Sequence, residues 1–415
     1  MIDRTYHKDF ALENIGSFGT HTKAAKEALI SAGEESRLKI SELDIKNADL
    51  SLSQDATGTL YKGALALTQS RIDSFVGCPL KYFCNYTLKL SPTGRAEFNA
   101  ANIGTFIHEV LERFFDTLNC RGSEISSITD EEKDALITEA ATGFASRYFE
   151  GIPKKSKRLK TTIDRLCRSA RPVVDGLCDE FSGCRFAPRF FELAINKNTP
   201  GSPEPAIFKA SDGTDVYIYG VIDRVDTFEN DGDVYVRVVD YKTGSKEFSP
   251  SDLEGGENLQ MFLYLKSIVE TENEEFRTKL GLSDGRRAIP AGVIYVKTDI
   301  GDGKIKSPSE SGKDAILGKQ KRLGMILDDS VSISAMNKNY LPVKVDKKTG
   351  EPMIEGSRLV YTSNGWDIIN EKISTAIKDI ADRMLKGEIA TPKDKSPDSS
   401  ACRYCDFKAF CRNSG

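Results

Sequence analysis

Residues 218–244 read IYGVIDRVDTFENDGDVYVRVVDYKTG. Side chains of a strand alternate between two faces, and this stretch alternates twice. Strands are expected over 215–226 and 233–241, joined by a tight turn at Asn230-Asp231-Gly232-Asp233. Val234, Val236 and Val238 then share a face with Asp240 and Lys242. On the partner strand Tyr219, Val221, Asp223 and Val225 share one. Pairing the two strands brings Asp223 close to Asp240, with Lys242 beside them.

Two carboxylates at one spot repel, and the arrangement is stable mainly with a divalent cation between them. A lysine close by adds a fixed positive charge or a proton relay. Asp223, Asp240 and Lys242 around Mg²⁺ or Mn²⁺ suit attack on a phosphodiester, because the metal polarises the phosphate and lowers the pKa of its bound water. The competing reading is an exposed hairpin end carrying ordinary surface charges. D-x-K alone favours that reading; the longer string around it favours the site.

The chain has 415 residues, enough for two or three domains or one elaborated one. Its net charge of −4 gives no global signature of nucleic-acid binding, so any such contact must come from local patches. No apolar run approaches a membrane span, and the polar start MIDRTYHKDF lacks a signal-peptide core. Both features favour the cytoplasm. Nine cysteines, an odd number without a secretory signal, argue against a disulfide scaffold.

Residues 1–66 are polar and largely helix-compatible, and NADLSLSQDATGTLY reads as a linker, as though the chain were cut from something longer. In 67–90, Thr68 or Ser70 can cap a short helix carrying Ile72, Phe75 and Val76, which Cys78-Pro79 breaks. GTFIHEVLERFFDTL (104–118) is an amphipathic helix with Thr105 as N-cap and His108 in the first turn. That histidine is either structural or a metal ligand. Helices follow over 130–185. The basic run 154–171, with Arg158, Arg165, Arg168 and Arg171, is either a solvated face or a phosphate contact. Glu192, in a strand-like segment, either supports a site or is an exposed strand residue. Helix 256–270 places Gln260 and Tyr264 on one face. A strand is expected over 288–298, an elaborated surface region over 300–360 with a turn at VDKKTGEP, and a helix over 364–386 with Ile368, Ile369, Ile373, Ile377, Ile380 and Met384 on one side.

Cys402, Cys405 and Cys411 offer three thiolates near the end of the chain, and tetrahedral thiolate sites need four. No histidine follows His108, so the fourth ligand must come from far away in sequence. Cys78 is the leading candidate, with Cys84, Cys120, Cys167, Cys178 and Cys184 as alternatives. Zinc and an iron–sulfur cluster both fit this spacing.

G-x-I-D-R-x-D (220–226) followed by V-V-D-Y-K-T-G (238–244) resembles the nuclease core of the PD-(D/E)XK superfamily, in its RecB-type branch. G-T-x-x-H-x-x-L-E (104–112) and Q-x-x-x-Y (260–264) stand where that branch has its first and last motifs. Cys78, within S-R-I-D-S-F-x-x-C-P-x-K-Y-F, and the terminal C-x2-C-x5-C are similar to the iron–sulfur staple of AddB-type nucleases, although Thr68-Gln69-Ser70 stands where relatives often show Ser-x-Ser. The resemblance implies an α/β fold with a restriction-endonuclease-like core, a central mixed sheet flanked by helices. The nuclease domain would span 61–415, with its core at about 186–298 and closure by 402–411, after a helicase-like tail in 1–60. It implies His108, Asp223, Asp240 and the Tyr241 carbonyl as Mg²⁺ ligands, Lys242 at the attacking water, and Gln260 and Tyr264 beside the lysine or the DNA. Cys78, Cys402, Cys405 and Cys411 would hold a [4Fe–4S] cluster. The implied activity is exonucleolytic cleavage of single-stranded DNA in bacterial double-strand-break repair, with an AddA-type helicase/nuclease as partner. No G-x-x-x-x-G-K-[ST] motif occurs, so ATP hydrolysis is not expected of this chain. The alternatives are a CRISPR-adaptation-type iron–sulfur nuclease and a non-catalytic DNA-end-binding module with a zinc staple.

Overall fold

Asp231 and Gly232 both have positive φ, 49° and 86°. That is the conformation of a two-residue hairpin turn whose twist matches its strands, and Asn230↔Asp233 closes the ladder. The strands it joins are longer than the sequence suggests. They are β4 (Asp215–Asn230) and β5 (Asp233–Lys242).

The structure, a computed structural model, describes residues 51–90, 100–121, 128–148, 157–242, 249–253, 258–282, 285–298, 322–344 and 359–392, with scattered positions between them and in 402–411. Residues 1–50, most of the expected turn at VDKKTGEP, and Lys154 and Lys155 lie outside the described residues, as does the side chain of Arg158.

In chain order the remaining elements are α1 (Gln54–Leu60), β1 (Ala64–Thr68), α2 (Gln69–Gly77) and α3 (Pro79–Tyr82), which runs on as a π-helix over Phe83–Thr87. Then come α4 (Ala100–Arg121), α5 (Asp130–Tyr148), α6 (Lys157–Ser182), β2 (Ala187–Ile195) and β3 (Ala206–Lys209). After the hairpin follow α7 (Gln260–Val269), α8 (Glu274–Leu280), β6 (Ala288–Lys297), β7 (Leu323–Leu327), α9 (Ser330–Ser334), β8 (Val360–Tyr361) and α10 (Ser363–Leu385). Among the described residues no helix is long and apolar enough to cross a membrane.

The eight strands form one mixed sheet, ordered β1-β4-β5-β6-β7-β8, with β2 and β3 also paired to β4. Helices cover both faces, as a mixed sheet with two apolar faces requires. Val234, Val236 and Val238 enter the core beneath α7 and α10, whereas Val239 and Tyr241 enter the core beneath α4, α5 and α6. The mixed sheet and flanking helices are those the resemblance implies.

Several sequence expectations change. The stretch read as a linker holds α1, started by Ser53, whose hydroxyl accepts the Ala56 N–H, and just after it comes β1, which pairs with β4. Local propensity cannot show a strand whose partner lies far along the chain. The region 300–360 is not all surface, because β7 joins the sheet beside β6. Helix α4 begins at Ala100, so Thr105 is not its cap and His108 lies well inside it. Ile368 is exposed, outside the buried stripe of α10.

Candidate active site

Strand β4 changes neighbours along its length. Residues 215–218 lie between β1 and β3, and residues 224–227 between β2 and β5. The β5 ladder stops at Arg224↔Val239 and the β1 ladder at Thr68↔Tyr219. Among the described residues, 220–223 therefore face a notch between the carboxyl ends of β1 and β5. Asp223 fills the place of the missing rung: its Oδ2 accepts the Tyr241 N–H at 2.7 Å.

Helix α4 crosses the notch and supplies His108. Its Nε2 is 3.1 Å from the Tyr241 carbonyl oxygen, and its Nδ1 is 3.6 Å from Asp223 and 3.7 Å from Glu192. One ligand atom each from His108, Glu192 and Asp223 lies within 4.8 Å of the others. Burial disfavours a charged imidazole, but the Glu192 carboxylate, the Asp223 charge and the Tyr241 carbonyl outweigh it and raise His108 to about 9. Burial, aided by the Asp240 charge, lifts Asp223 to about 7 against the pull of His108. The acceptors gathered here favour a positive charge among them.

Asp240, 5 % exposed, takes Lys242: Nζ lies 3.0 Å from Oδ1 and 2.9 Å from Oδ2. Only the Oδ1 contact has hydrogen-bond geometry, and Oδ2 is a buried acceptor without a properly aligned donor. On the far side of Lys242 stands Gln260 Oε1 at 3.5 Å, and Gln260 Nε2 is 3.4 Å from the Tyr264 hydroxyl. Gly220 makes room for this tyrosine, because a Cβ there would fall 2.1 Å from its hydroxyl. The structure thus brings together His108, Asp223, Asp240, Tyr241, Lys242, Gln260 and Tyr264. A surplus of acceptors and an orphaned carboxylate oxygen are what a bound divalent cation would satisfy.

Glu192 is the residue that sequence reasoning undervalued. Its neighbours pair as Phe191↔Arg224 and Leu193↔Ile222, which sets Glu192 across from Asp223. Its φ of 43° is strained for a non-glycine residue, at a cost on the order of 1–3 kcal/mol. The visible signal was a lone acid within the otherwise apolar FFELAI. The site opens into a cleft of about 840 Å³ that reaches Arg147 of α5. The basic run divides. Arg171 pairs with Asp130, Asp134 and Asp175 and ties α6 to α5, while Lys157, Lys160, Arg165 and Arg168 stay exposed on one face.

Behind the site lies a chain of buried charges. Arg224 grips Asp226 with Nε and Nη2 at 2.8 and 3.1 Å and reaches the Tyr241 hydroxyl with Nη1 at 2.8 Å. Arg237 holds the same Asp226 at 2.8 Å and Glu180 at 3.3 Å, and Arg322 closes on Glu180 at 2.6 Å.

The terminal cysteines come back to the front of the domain. Burial raises the Cys78 thiol; the N–H groups of Lys81 and Leu80 pull it down, and the nearby Cys411 and Cys405 push it up. Cys84, also buried, feels Cys78, Cys405 and Cys411. Cys405 N–H bonds the Cys402 carbonyl at 3.2 Å. Cys78, Cys84, Cys405 and Cys411 thus lie near enough to feel one another's charge, and soft thiols are the donor type that a thiolate-bound metal or cluster takes.

A family model described as the PD-(D/E)XK nuclease superfamily matches residues 66–412. Curated relatives are named as one of the subunits of an ATP-dependent helicase/deoxyribonuclease. That of Clostridium acetobutylicum is 28% identical over 373 residues, covering 87% of this chain and 31% of the relative. That of Alkaliphilus metalliredigens is 26% identical over 389 residues, 91% of this chain and 32% of the relative. That of a Thermoanaerobacter strain is 27% identical over 363 residues, 85% and 30%. The chain spans about a third of the length of the curated relatives it matches. A mixed sheet with helices on both faces, two strand-borne aspartates, a lysine two residues after the second, and a matching family model over most of the chain lead to one assignment: the chain belongs to the PD-(D/E)XK nuclease superfamily.

Proposed function

We propose that this chain is the nuclease domain of a helicase–nuclease complex, hydrolysing phosphodiester bonds of single-stranded DNA with Mg²⁺ or Mn²⁺ during double-strand-break repair. The observation that carries this is the convergence of His108, Asp223, Asp240 and Lys242 on one notch. Asp223, Asp240, the His108 imidazole and the Tyr241 carbonyl are the metal ligands, with Glu192 holding the second nitrogen of His108. Bound there, such an ion would polarise the scissile phosphate and acidify a water. Lys242 orients that water and offsets the charge growing on the phosphate. Gln260 and Tyr264 keep the lysine pointed into the notch. The exposed basic face of α6 holds the backbone of the strand. The names of the relatives support a helicase-containing complex as the setting, and the partner proposed within it is a helicase/nuclease of the AddA type.

The test is cleavage of a labelled single strand by the purified chain. Degradation is expected with Mg²⁺ or Mn²⁺, to stop with EDTA, and to return when the metal is restored. Binding without cleavage under either metal would make the chain a DNA-end-binding module instead.

Cys78, Cys402, Cys405 and Cys411 bind a [4Fe–4S] cluster that ties the two ends of the domain, in this reading. A metal closing so long a loop contributes folding free energy directly. Cys411→Ala should give colourless, less stable protein with weakened DNA binding. Iron analysis of protein kept from oxygen checks the cluster, and one zinc with no iron would leave a zinc staple. Unchanged colour, stability and activity in Cys411→Ala would remove the staple altogether.

A further inference from the structure

Among the described residues Arg224 is the largest fully buried side chain, and it lies one residue from Asp223 on the opposite face of β4. Its guanidinium is fixed from two sides. Asp226 takes two of its nitrogens and is itself held by Arg237. The remaining donor goes to the Tyr241 hydroxyl. The rings of Phe115, Phe181 and Tyr241 lie 5.6, 5.1 and 5.6 Å from its charge. Phenylalanine at 241 would fill the same ring volume, so packing does not explain the hydroxyl. The backbone of residue 241 is what lies in the notch, with its N–H on Asp223 and its carbonyl beside His108. Its ring meets the His108 ring edge-on at 5.5 Å.

We infer that Arg224 is a positioning residue for the metal site: through the Tyr241 hydroxyl it fixes the peptide of residue 241 against Asp223 and His108. This rests on the metal-site reading given above. A charge-assisted hydrogen bond in a water-free interior resists displacement far better than apolar contact does. A shift of the tyrosine would break it, and so the buried charges behind the sheet hold the ligand geometry in front of it.

Tyr241→Phe removes this one link and keeps the ring. Mn²⁺ affinity, read by electron paramagnetic resonance without DNA, is expected to weaken about tenfold or more, as for other losses of ligand-orienting partners. Turnover should fall while KM for a short single strand stays put. Arg224→Lys keeps the charge, cannot span Asp226 and Tyr241 together, and should weaken Mn²⁺ in the same direction. A lowered unfolding midpoint with Mn²⁺ affinity within about twofold of the parent protein would overturn the inference, because a merely structural strut gives that result. Asp240→Ala in the same titration separates the two ideas. If it too leaves Mn²⁺ binding untouched, the metal-site reading fails and takes the inference with it. If Asp240→Ala abolishes binding and Tyr241→Phe does not alter it, the inference alone fails.

Discussion

Alanine at Asp240 or Lys242 is expected to slow DNA cleavage by about three orders of magnitude, corresponding to roughly 4 kcal/mol of transition-state stabilisation. Fold and DNA binding should persist. Asp240 is buried, yet the hydrogen-bonding partner it holds is Lys242, at the open end of its strand. Removing it disturbs no core ion pair, so the loss should appear in the chemical step. Lys242 is nearly half exposed, so truncation there costs little stability. Single-turnover rates on a labelled strand, with circular dichroism as the folding control, make the measurement. Parent-like rates in either variant would remove these residues from the active site.

The second large effect is on stability. Glu180→Ala should cost about 3–5 kcal/mol, because Arg322 would lose its carboxylate in the core and Arg237 would be left with Asp226 alone. Against a typical stability of about 5–15 kcal/mol this is close to unfolding. The same residue sets an acid limit. Burial opposes its ionisation, but the charges of Arg322, Arg237 and Arg224 prevail and bring its carboxyl from 4.5 to about 2. A carboxyl depressed on folding binds fewer protons in the native state than in the unfolded one, so its stabilisation is complete above about pH 4.5 and is lost as pH falls through about 2. Thermal unfolding between pH 5 and pH 2 should show a falling midpoint, and a flat profile would contradict it.

The hairpin was legible because its information is local: alternating valines, an Asn-Asp-Gly-Asp turn, and carboxylates placed by period two. Gln260 and Tyr264 were legible for the same reason, four residues apart on one helix. His108 entered through its motif, but its position within α4 was misjudged because the apolar stripe begins after the helix does. β1 and β7 were missed because each is short and its partners lie far along the chain. Glu192 depends on a cross-strand register and a left-handed backbone that no pattern of residue types reveals. The ion chain from Arg224 to Arg322 draws on α6, β4, β5 and a residue ahead of β7, and only the assembled sheet makes it contiguous.

The pairing of β1 with β4 joins Ala64 to Asp215 in parallel, with three long helices and two strands intervening. Closing so large a loop adds little to the equilibrium cost, which grows only as the logarithm of its length. Its effect on time is larger, since contacts between distant segments form slowly. β4 and β5 can find each other through a two-residue turn, while β1 must wait for the helical layer between it and its partner to collapse. The last wall of the notch is therefore the slowest to arrive during folding, and it arrives on the segment that leads, through one short helix, to Cys78.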